Sequence, residues 1–121
     1  MHASSNGSFP VISDVSREVS WLYDMVETSQ VKNMATASTI RSVFIVDPAK
    51  KIRLVMTYPA STGRNTSEVL RVVDSLQTAD RNGIATPVNW NVGEDVIVPP
   101  SVSTEDAKKK FGAENVRELK P

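Results

Sequence analysis

Residues 41–58 read RSVFIVDPAKKIRLVMTY, and this stretch decides the fold. Residues 42–46 form a run rich in β-branched and aromatic residues that ends at Asp47-Pro48. The second run alternates between two sets of positions, which are Ile52, Leu54, Met56 and Tyr58, and then Arg53, Val55 and Thr57. Such alternation is typical of a strand with one buried face. About five residues separate the runs, and proline favours a turn there, so the pattern predicts a β-hairpin.

An amphipathic helix is predicted before the hairpin. Asp14 is a candidate N-cap, and apolar residues then recur with the spacing of one helix face, which predicts a helix over residues 15–26. These core-facing positions are Val15, Val19, Leu22, Tyr23 and Val26. We interpret residues 9–12 as the end of a strand, and residues 27–39, which lose the helical period, as a loop.

Two further helices are predicted after the hairpin. Asn65 and Glu68 have the spacing of a capping box, and the apolar residues beyond them predict a helix over residues 66–77. The spacing of Ser103 and Asp106 predicts the start of another, shorter helix. The order of elements is therefore strand end, helix, hairpin and helix, followed by a short helix near the end of the chain.

Composition divides the chain into three parts. Residues 1–8 are small and polar, and we interpret them as a flexible segment. Residues 9–80 carry the periodic elements and are interpreted as a compact α/β unit. Residues 81–121 contain prolines between short apolar pieces and are interpreted as an extended C-terminal arm.

Composition also excludes several classes of function. The 121 residues include no cysteine and a single histidine, His2, so thiol chemistry is excluded and no metal or other cofactor is expected. Basic and acidic residues number 14 each, which argues against a nucleic-acid partner. No apolar run is long enough to span a membrane, and the first residues lack the pattern of a signal or transit peptide. The expected location is therefore the cytoplasm.

Several segments, in order and with the right spacing, resemble the 1-Cys subfamily of the peroxiredoxins. They are Phe9–Val19, Trp21–Val26, Arg41–Leu54, Tyr58–Asn65, Glu68–Gln77, Ala85–Trp90 and Val96–Ser101. The first resembles the subfamily's FPI-x-x-D-x-x-R-x-V stretch, and the last two resemble its C-terminal domain. The amino-acid sequence of Trp21–Val26 looks closest to that of fungal members.

The resemblance implies a fold and, because one motif is missing, the lack of one activity. It implies the C-terminal half of a thioredoxin-like peroxiredoxin fold, an α/β half-fold with a hairpin and two helices plus the peroxiredoxin C-terminal dimerisation arm. The family's Pro-x-x-x-Thr/Ser-x-x-Cys loop lies upstream of the part that matches Phe9, and the chain contains no such loop. We therefore expect no peroxidase activity.

The same resemblance and the residue types suggest four site candidates. In the family, the arginine that opens the hairpin strand sits beside the peroxidatic cysteine, and it matches Arg41, which would be a retained anion-binding group. The arginine of the family's Gly-Arg-Asn motif matches Arg64, which supports the site through polar contacts. Tyr58 could place a hydroxyl at a pocket rim. Trp90, like Trp21, could line a ligand pocket, although buried packing is favoured for both. A structural ion pair is the competing interpretation for Arg41.

Three hypotheses about function stay open. The favoured one is a binding or assembly module that forms a homodimer or higher homo-oligomer through its exposed sheet and its arm, as the family's dimers do. The second is a repurposed, cofactor-independent enzyme, an isomerase, cyclase or dehydratase acting on a small organic substrate, for example in fungal biosynthesis. In that case Arg41 and Tyr58 are the catalytic candidates. The third is a fragment of a full peroxidase.

Overall fold

The structure, a computed structural model, describes residues 9–119, except for the side chain of Ala35. Contacts divide the chain into two compact units, Met1–Arg64 and Asn65–Pro121, and each unit is described by itself. The elements in chain order are α1 (Glu18–Leu22), a 3₁₀ segment (Thr28–Thr36), β1 (Arg41–Val46), β2 (Ile52–Tyr58), α2 (Thr66–Asn82), α3 (Thr104–Phe111) and a 3₁₀ turn (Ala113–Asn115).

The boundary that composition predicts near residue 80 stays a prediction. The contacts divide the chain between Arg64 and Asn65. The predicted flexible segment, residues 1–8, lies outside the described residues. The assignment of residues 81–121 to a dimerisation arm stays a prediction.

The hairpin forms as the sequence predicts. β1 and β2 pair antiparallel, with Arg41 opposite Tyr58 at the end away from the turn. An irregularity between Ile45 and Val46 shifts the register next to the turn. The two strands form a two-stranded sheet within the described part of the chain.

The turn of the hairpin is held by one carboxylate. Asp47 accepts a hydrogen bond from the Lys51 amide at 2.9 Å, and its own amide donates to the Lys51 carbonyl at 2.9 Å. Lys50 has a φ of 63°, a left-handed conformation that closes the turn. Arg53 of β2 reaches back to the same carboxylate at 3.6 Å, so a short polar cluster sets where the two strands turn.

The first helix is much shorter than its apolar period predicts. α1 comprises five residues, Glu18–Leu22, so the prediction of a helix over residues 15–26 is wrong. Left-handed residues stand at both ends, because Arg17 has a φ of 63° and Asp24 a φ of 54°. Such a residue cannot continue a right-handed helix.

The secondary structure on either side of α1 also differs from the predictions. The segment 9–12 forms no strand, and a 3₁₀ segment, Thr28–Thr36, replaces much of the predicted loop. The Asp14 carboxylate does bind the helix start, because it accepts from the amides of Val19 at 3.2 Å and Ser20 at 2.8 Å. The helix geometry nevertheless begins after Arg17 rather than after Asp14.

The predicted apolar face of this region is mostly uncovered. Val26 is buried, but Val15, Val19, Leu22 and Tyr23 are exposed. Trp21, for which packing in the core was favoured, keeps 47% of its surface exposed. A helix stays long when its apolar stripe is buried against another layer, and the described residues of the first unit do not supply that layer here.

The second helix begins as predicted and ends later. The Asn65 side chain accepts from the Glu68 amide at 3.1 Å, which confirms the N-cap. α2 continues to Asn82 rather than residue 77, and Gly83, with a φ of 64°, ends it. On this helix Leu70 is 65% exposed, whereas Val72 is buried.

The core of the second unit includes one tryptophan. Its buried apolar residues are Val72, Ile84, Trp90 and Ala107. Ala85 and Ile97 exchange backbone hydrogen bonds of 2.8 Å, and these bonds close the loop of residues 86–96 that contains Trp90. The predicted cap of α3 is present, because Ser103 Oγ accepts from the Asp106 amide at 3.1 Å.

Candidate functional site

Two of the predicted site residues meet at the open end of the hairpin. Arg41 begins β1 and Tyr58 ends β2, and directly opposite residues of an antiparallel pair project from the same face of the sheet. The Tyr58 hydroxyl donates to Met56 Sδ at 3.6 Å. Arg41 is exposed, and within residues 9–119 its guanidinium makes no hydrogen bond or ion pair. The structural ion pair considered for Arg41 is therefore not formed by these residues.

A cleft of about 280 Å³ lies beside Tyr58. Its lining residues are Glu27, Gln30, Ser38, Thr39, Ile40, Thr57, Tyr58, Pro59 and Ala60. Gln30 Oε1 accepts from the Ser38 amide at 2.9 Å and so fixes one wall. The lining combines a carboxylate, several hydroxyl groups and one aromatic ring. Arg41 does not line this cleft, so the structure joins Tyr58 with Glu27 there rather than with the arginine.

A second depression of about 390 Å³ lies on the face of the hairpin that carries Phe44. Its lining residues are Tyr23, Asp24, Ile40, Ser42, Phe44, Val55 and Thr57. The rings of Tyr23 and Phe44 meet edge to face, with centroids 5.0 Å apart. The Ser42 and Thr57 hydroxyls lie 3.3 Å apart across the strands. This second face is apolar at its centre and polar at the strand ends.

The other two predicted residues do not join this pair. Arg64 is exposed at the end of the first unit, and no polar contact of its guanidinium is present within residues 9–119. Trp90 belongs to the second unit, where it is 2% exposed and its Nε1 donates to the Glu94 carbonyl at 3.1 Å. Its position is that of a core residue, in agreement with the packing interpretation.

Sequence reasoning missed Arg71, the arginine with the most extensive described contacts. Its Nε and one terminal nitrogen donate to the Glu68 carboxylate at 2.6 and 2.8 Å, and the other terminal nitrogen donates to the Trp90 carbonyl at 3.1 Å. The hydrogen bonds between the two side chains hold the pKa of Glu68 below its ordinary value and raise the pKa of Arg71. The i, i+3 spacing of Glu68 and Arg71 on a predicted helix was the available signal.

Residues 9–119 contain no group of three or more His, Cys, Asp or Glu side chains that could hold a metal ion. No helix among them is both long enough and apolar enough to cross a membrane. Within residues 9–64 the first unit presents the guanidinium groups of Arg41 and Arg64 without described partners, a cleft with a carboxylate, and exposed apolar side chains on the hairpin and α1.

Comparison with known proteins agrees with this geometry. Residues 75–114 match the C-terminal domain of 1-Cys peroxiredoxin. The mitochondrial peroxiredoxin PRX1 of Saccharomyces cerevisiae is 56% identical over 118 residues, which are 96% of this chain and 44% of that protein. The chain thus spans about half the length of the curated relatives it matches.

Solved structures give the same result. A structure of a yeast mitochondrial 1-Cys peroxiredoxin superposes with a TM-score of 0.74 at 50% identity, over 90% of this chain and 52% of that one. A cysteine-to-serine mutant of peroxiredoxin 6 from Arenicola marina superposes with a TM-score of 0.77 at 42% identity, over 89% of this chain and 49% of that one. The predicted α/β peroxiredoxin fold with its hairpin is thereby confirmed. The chain is a close homologue of the 1-Cys peroxiredoxins that contains their C-terminal domain and no cysteine.

Proposed function

We propose that this peroxiredoxin-derived chain acts as a homodimeric binding or assembly module without thiol peroxidase activity. The observation that supports the proposal is the balance of buried and exposed apolar residues. Within residues 9–119, 6 apolar residues are buried and 17 large apolar side chains are exposed. A contiguous apolar patch of more than a few hundred Å² is typical of an association surface.

The free energy available from covering exposed apolar surface is large compared with the stability of a small domain. Each Å² of apolar surface removed from water contributes about 25 cal/mol, so covering a few hundred Å² by association would supply several kcal/mol.

Size-exclusion chromatography with light scattering tests the proposal. We expect a dimer or higher homo-oligomer at about 10 µM. At this concentration, a dissociation constant of about 1 µM would already make the dimer the main species. Val55→Asp on the sheet and Val88→Asp on the arm place a charge on exposed apolar positions, 48% and 88% exposed, and should shift the mass toward the monomer. Asp74→Asn, at an exposed polar position, is the control. A stable, folded wild-type monomer would contradict the proposal.

The loss of peroxidase activity follows from the missing thiolate. Peroxide reduction by this family's chemistry needs a cysteine sulfur as nucleophile, and the chain has none. We expect hydrogen peroxide, added with glutathione or thioredoxin as reductant, to disappear no faster than in buffer. Consumption that depends on the protein concentration would overturn this part of the proposal.

A second candidate function, a cofactor-independent isomerase, cyclase or dehydratase, is favoured by the cleft beside Tyr58. Glu27 and Tyr58 both line it, and a carboxylate with a phenol can move protons on a small substrate. A role in fungal biosynthesis remains a hypothesis. Turnover of candidate small organic substrates should fall in Tyr58→Phe, which removes one hydroxyl and little else. Equal turnover in that variant would exclude Tyr58 from the chemistry.

A cytoplasmic location completes the proposal. The name of the yeast relative places that protein in mitochondria, and it describes that protein alone. Microscopy of the gene product with a fluorescent protein at its C-terminus should show diffuse cytoplasmic signal. Co-localisation with a mitochondrial marker would contradict this location.

A further inference from the structure

The end of α2 contains a dipeptide with a chemistry of its own. Asn82 is the last residue of the helix, Gly83 follows it as the C-cap, and both are exposed. The backbone nitrogen of the residue after an asparagine can attack the carbon of the side-chain amide, and glycine obstructs this attack least because it has no Cβ. Asn82 is the one asparagine of residues 9–119 that a glycine follows. It is therefore the described asparagine that is most open to this attack.

The reaction is a deamidation that consumes only water. The Gly83 nitrogen gives up its proton and bonds to Asn82 Cγ, while the bond between Cγ and Nδ2 breaks. The side-chain nitrogen takes up a proton and leaves as ammonia, so that a cyclic imide remains. Water then opens the imide at one of its two carbonyls. One opening gives aspartate, and the other gives isoaspartate, in which the main chain runs through the former side chain and is one carbon longer.

Hydrogen bonds engage both reacting groups in the folded chain. The Gly83 amide donates to the Ala79 carbonyl at 2.8 Å, and Asn82 Nδ2 donates to the Thr78 carbonyl at 2.9 Å. The nitrogen that must attack therefore keeps its proton in a hydrogen bond, and the amide that must be attacked is turned back along the helix. The reaction requires that this last turn of α2 opens, and local opening of this kind costs less free energy than global unfolding.

A lysine of α3 holds this turn closed. Lys110 Nζ donates to the Asn82 carbonyl at 2.5 Å and lies 5.0 Å from the centre of the Phe111 ring. A cation at the C-terminus of a helix stabilises the last carbonyls, which have no partner within the helix. Within residues 9–119, Lys109 beside it pairs with Asp106 at 3.8 Å and makes no hydrogen bond with α2. Lys110 therefore opposes opening of the turn that contains Asn82, from 28 residues away in the sequence.

We propose that Asn82 is a site of spontaneous deamidation whose rate is set by the hydrogen bond from Lys110. The modification has a structural consequence, because the amides of Gly83 and Ile84 both donate to the Ala79 carbonyl and close the end of α2. Isoaspartate at position 82 lengthens the main chain inside this closed turn and displaces those bonds. Ile84 is 7% exposed, so the displacement also disturbs the core of the second unit.

Incubation of the full chain at neutral pH, followed by peptide mass mapping, tests the inference. We expect the Asn82 amide to become a carboxylate, and the isoaspartyl product to accept a methyl group from an isoaspartate-specific methyltransferase. Lys110→Gln removes the cation and should speed the conversion about fivefold, because the turn is open for a larger fraction of the time when a charge-assisted hydrogen bond is lost. Lys109→Gln is the matched control and should convert at the wild-type rate. Lys110→Arg, which keeps a cation, should stay closer to the wild type than Lys110→Gln.

Asn91, which precedes the β-branched Val92, is the internal reference. Its conversion should be slower than that of Asn82 and equal in all the lysine variants. A parallel rise at Asn91 in Lys110→Gln would mean that the whole unit unfolds, and it would overturn the role of Lys110. Equal rates at Asn82 in Lys110→Gln and Lys109→Gln would overturn it as well. No conversion at Asn82 in the folded wild type, over a time in which the urea-unfolded chain converts, would overturn the site itself.

Thermal melts test the structural consequence. The incubated wild type should melt at a lower temperature than the fresh protein, in proportion to its isoaspartate content. Asn82→Ser lacks the reactive amide and should keep its initial melting temperature through the same incubation. An equal loss of stability in both proteins would show that another change destabilises the chain, and it would overturn this consequence.

Discussion

Arg41 and Tyr58 lie directly opposite each other at the end of the hairpin away from the turn, on one face of the sheet. The Tyr58 hydroxyl is bonded to Met56 Sδ at 3.6 Å, whereas the Arg41 guanidinium has no partner within residues 9–119. The described residues therefore form no hydrogen bond or ion pair with this cation. Any role of Arg41 must come from a group that the described residues do not provide.

Arg41 and Arg71 should differ sharply in their effect on stability. Arg41→Ala removes an exposed side chain without described partners, so the free energy of unfolding should change by no more than about 0.5 kcal/mol. Arg71→Ala removes the paired bonds to Glu68 and the bond to the Trp90 carbonyl and should lower the melting temperature clearly. Thermal melts followed by circular dichroism measure both. An equal loss in the two variants would contradict the contacts described here.

The two tryptophans provide a matched test of burial. Trp90 is 2% exposed, and Trp90→Ala should cost about 3–5 kcal/mol of unfolding free energy. Trp21 is 47% exposed, so Trp21→Ala should cost much less. Urea titrations measure the costs. The fluorescence of Trp21→Ala should be blue-shifted relative to that of Trp90→Ala, because each variant reports the other indole. The reverse order of emission would show that the burial is assigned to the wrong residue.

Asp14 should make stability depend on pH. The Ser20 hydroxyl and amide and the Val19 amide donate to its carboxylate and hold its pKa below the ordinary value of 3.8. A lowered folded pKa means that the stabilisation is complete above pH 3.8 and is lost as the pH falls through the folded value. Asp14→Asn should therefore flatten the fall of the melting temperature below about pH 4.

The control for this pH prediction is Asp74→Asn, which changes an exposed carboxylate of α2. Its melting temperature should follow the wild-type pH profile in shape. If Asp14→Asn also follows that profile, then the hydrogen bonds to Asp14 do not stabilise the folded chain.

Replacing Gly83 by alanine should destabilise the chain more than replacing Gly63. Gly83 ends α2 with a φ of 64°, and an added Cβ would lie 3.3 Å from Lys110 Nζ. Gly83→Ala should therefore cost about 1–2 kcal/mol, the penalty for a side chain in the left-handed region. Gly63→Ala adds a Cβ with no atom within 4 Å and should be close to neutral. Chemical denaturation compares them, and a neutral Gly83→Ala would show that α2 ends in another way.

Local patterns predicted the elements whose stabilising contacts are close in sequence. The hairpin has its predicted ends within one residue, because alternation and a proline-containing turn act between neighbours. The caps by Asn65 and Ser103 likewise join residues three apart. The same local reasoning overextended α1, because the period from Val15 to Val26 indicates a helix only when another layer covers it.

The sequence by itself determined that thiol chemistry is absent, that a hairpin forms, and which family the chain resembles. The tertiary structure alone decided which side chains are covered: Trp90 is buried while Trp21 is exposed, and Arg71 rather than Arg41 is held by partners. The physical reason is that alternation and capping involve neighbouring residues, whereas burial depends on segments far apart in the chain. Arg71 meets the Trp90 carbonyl 19 residues away, and no short pattern encodes that contact.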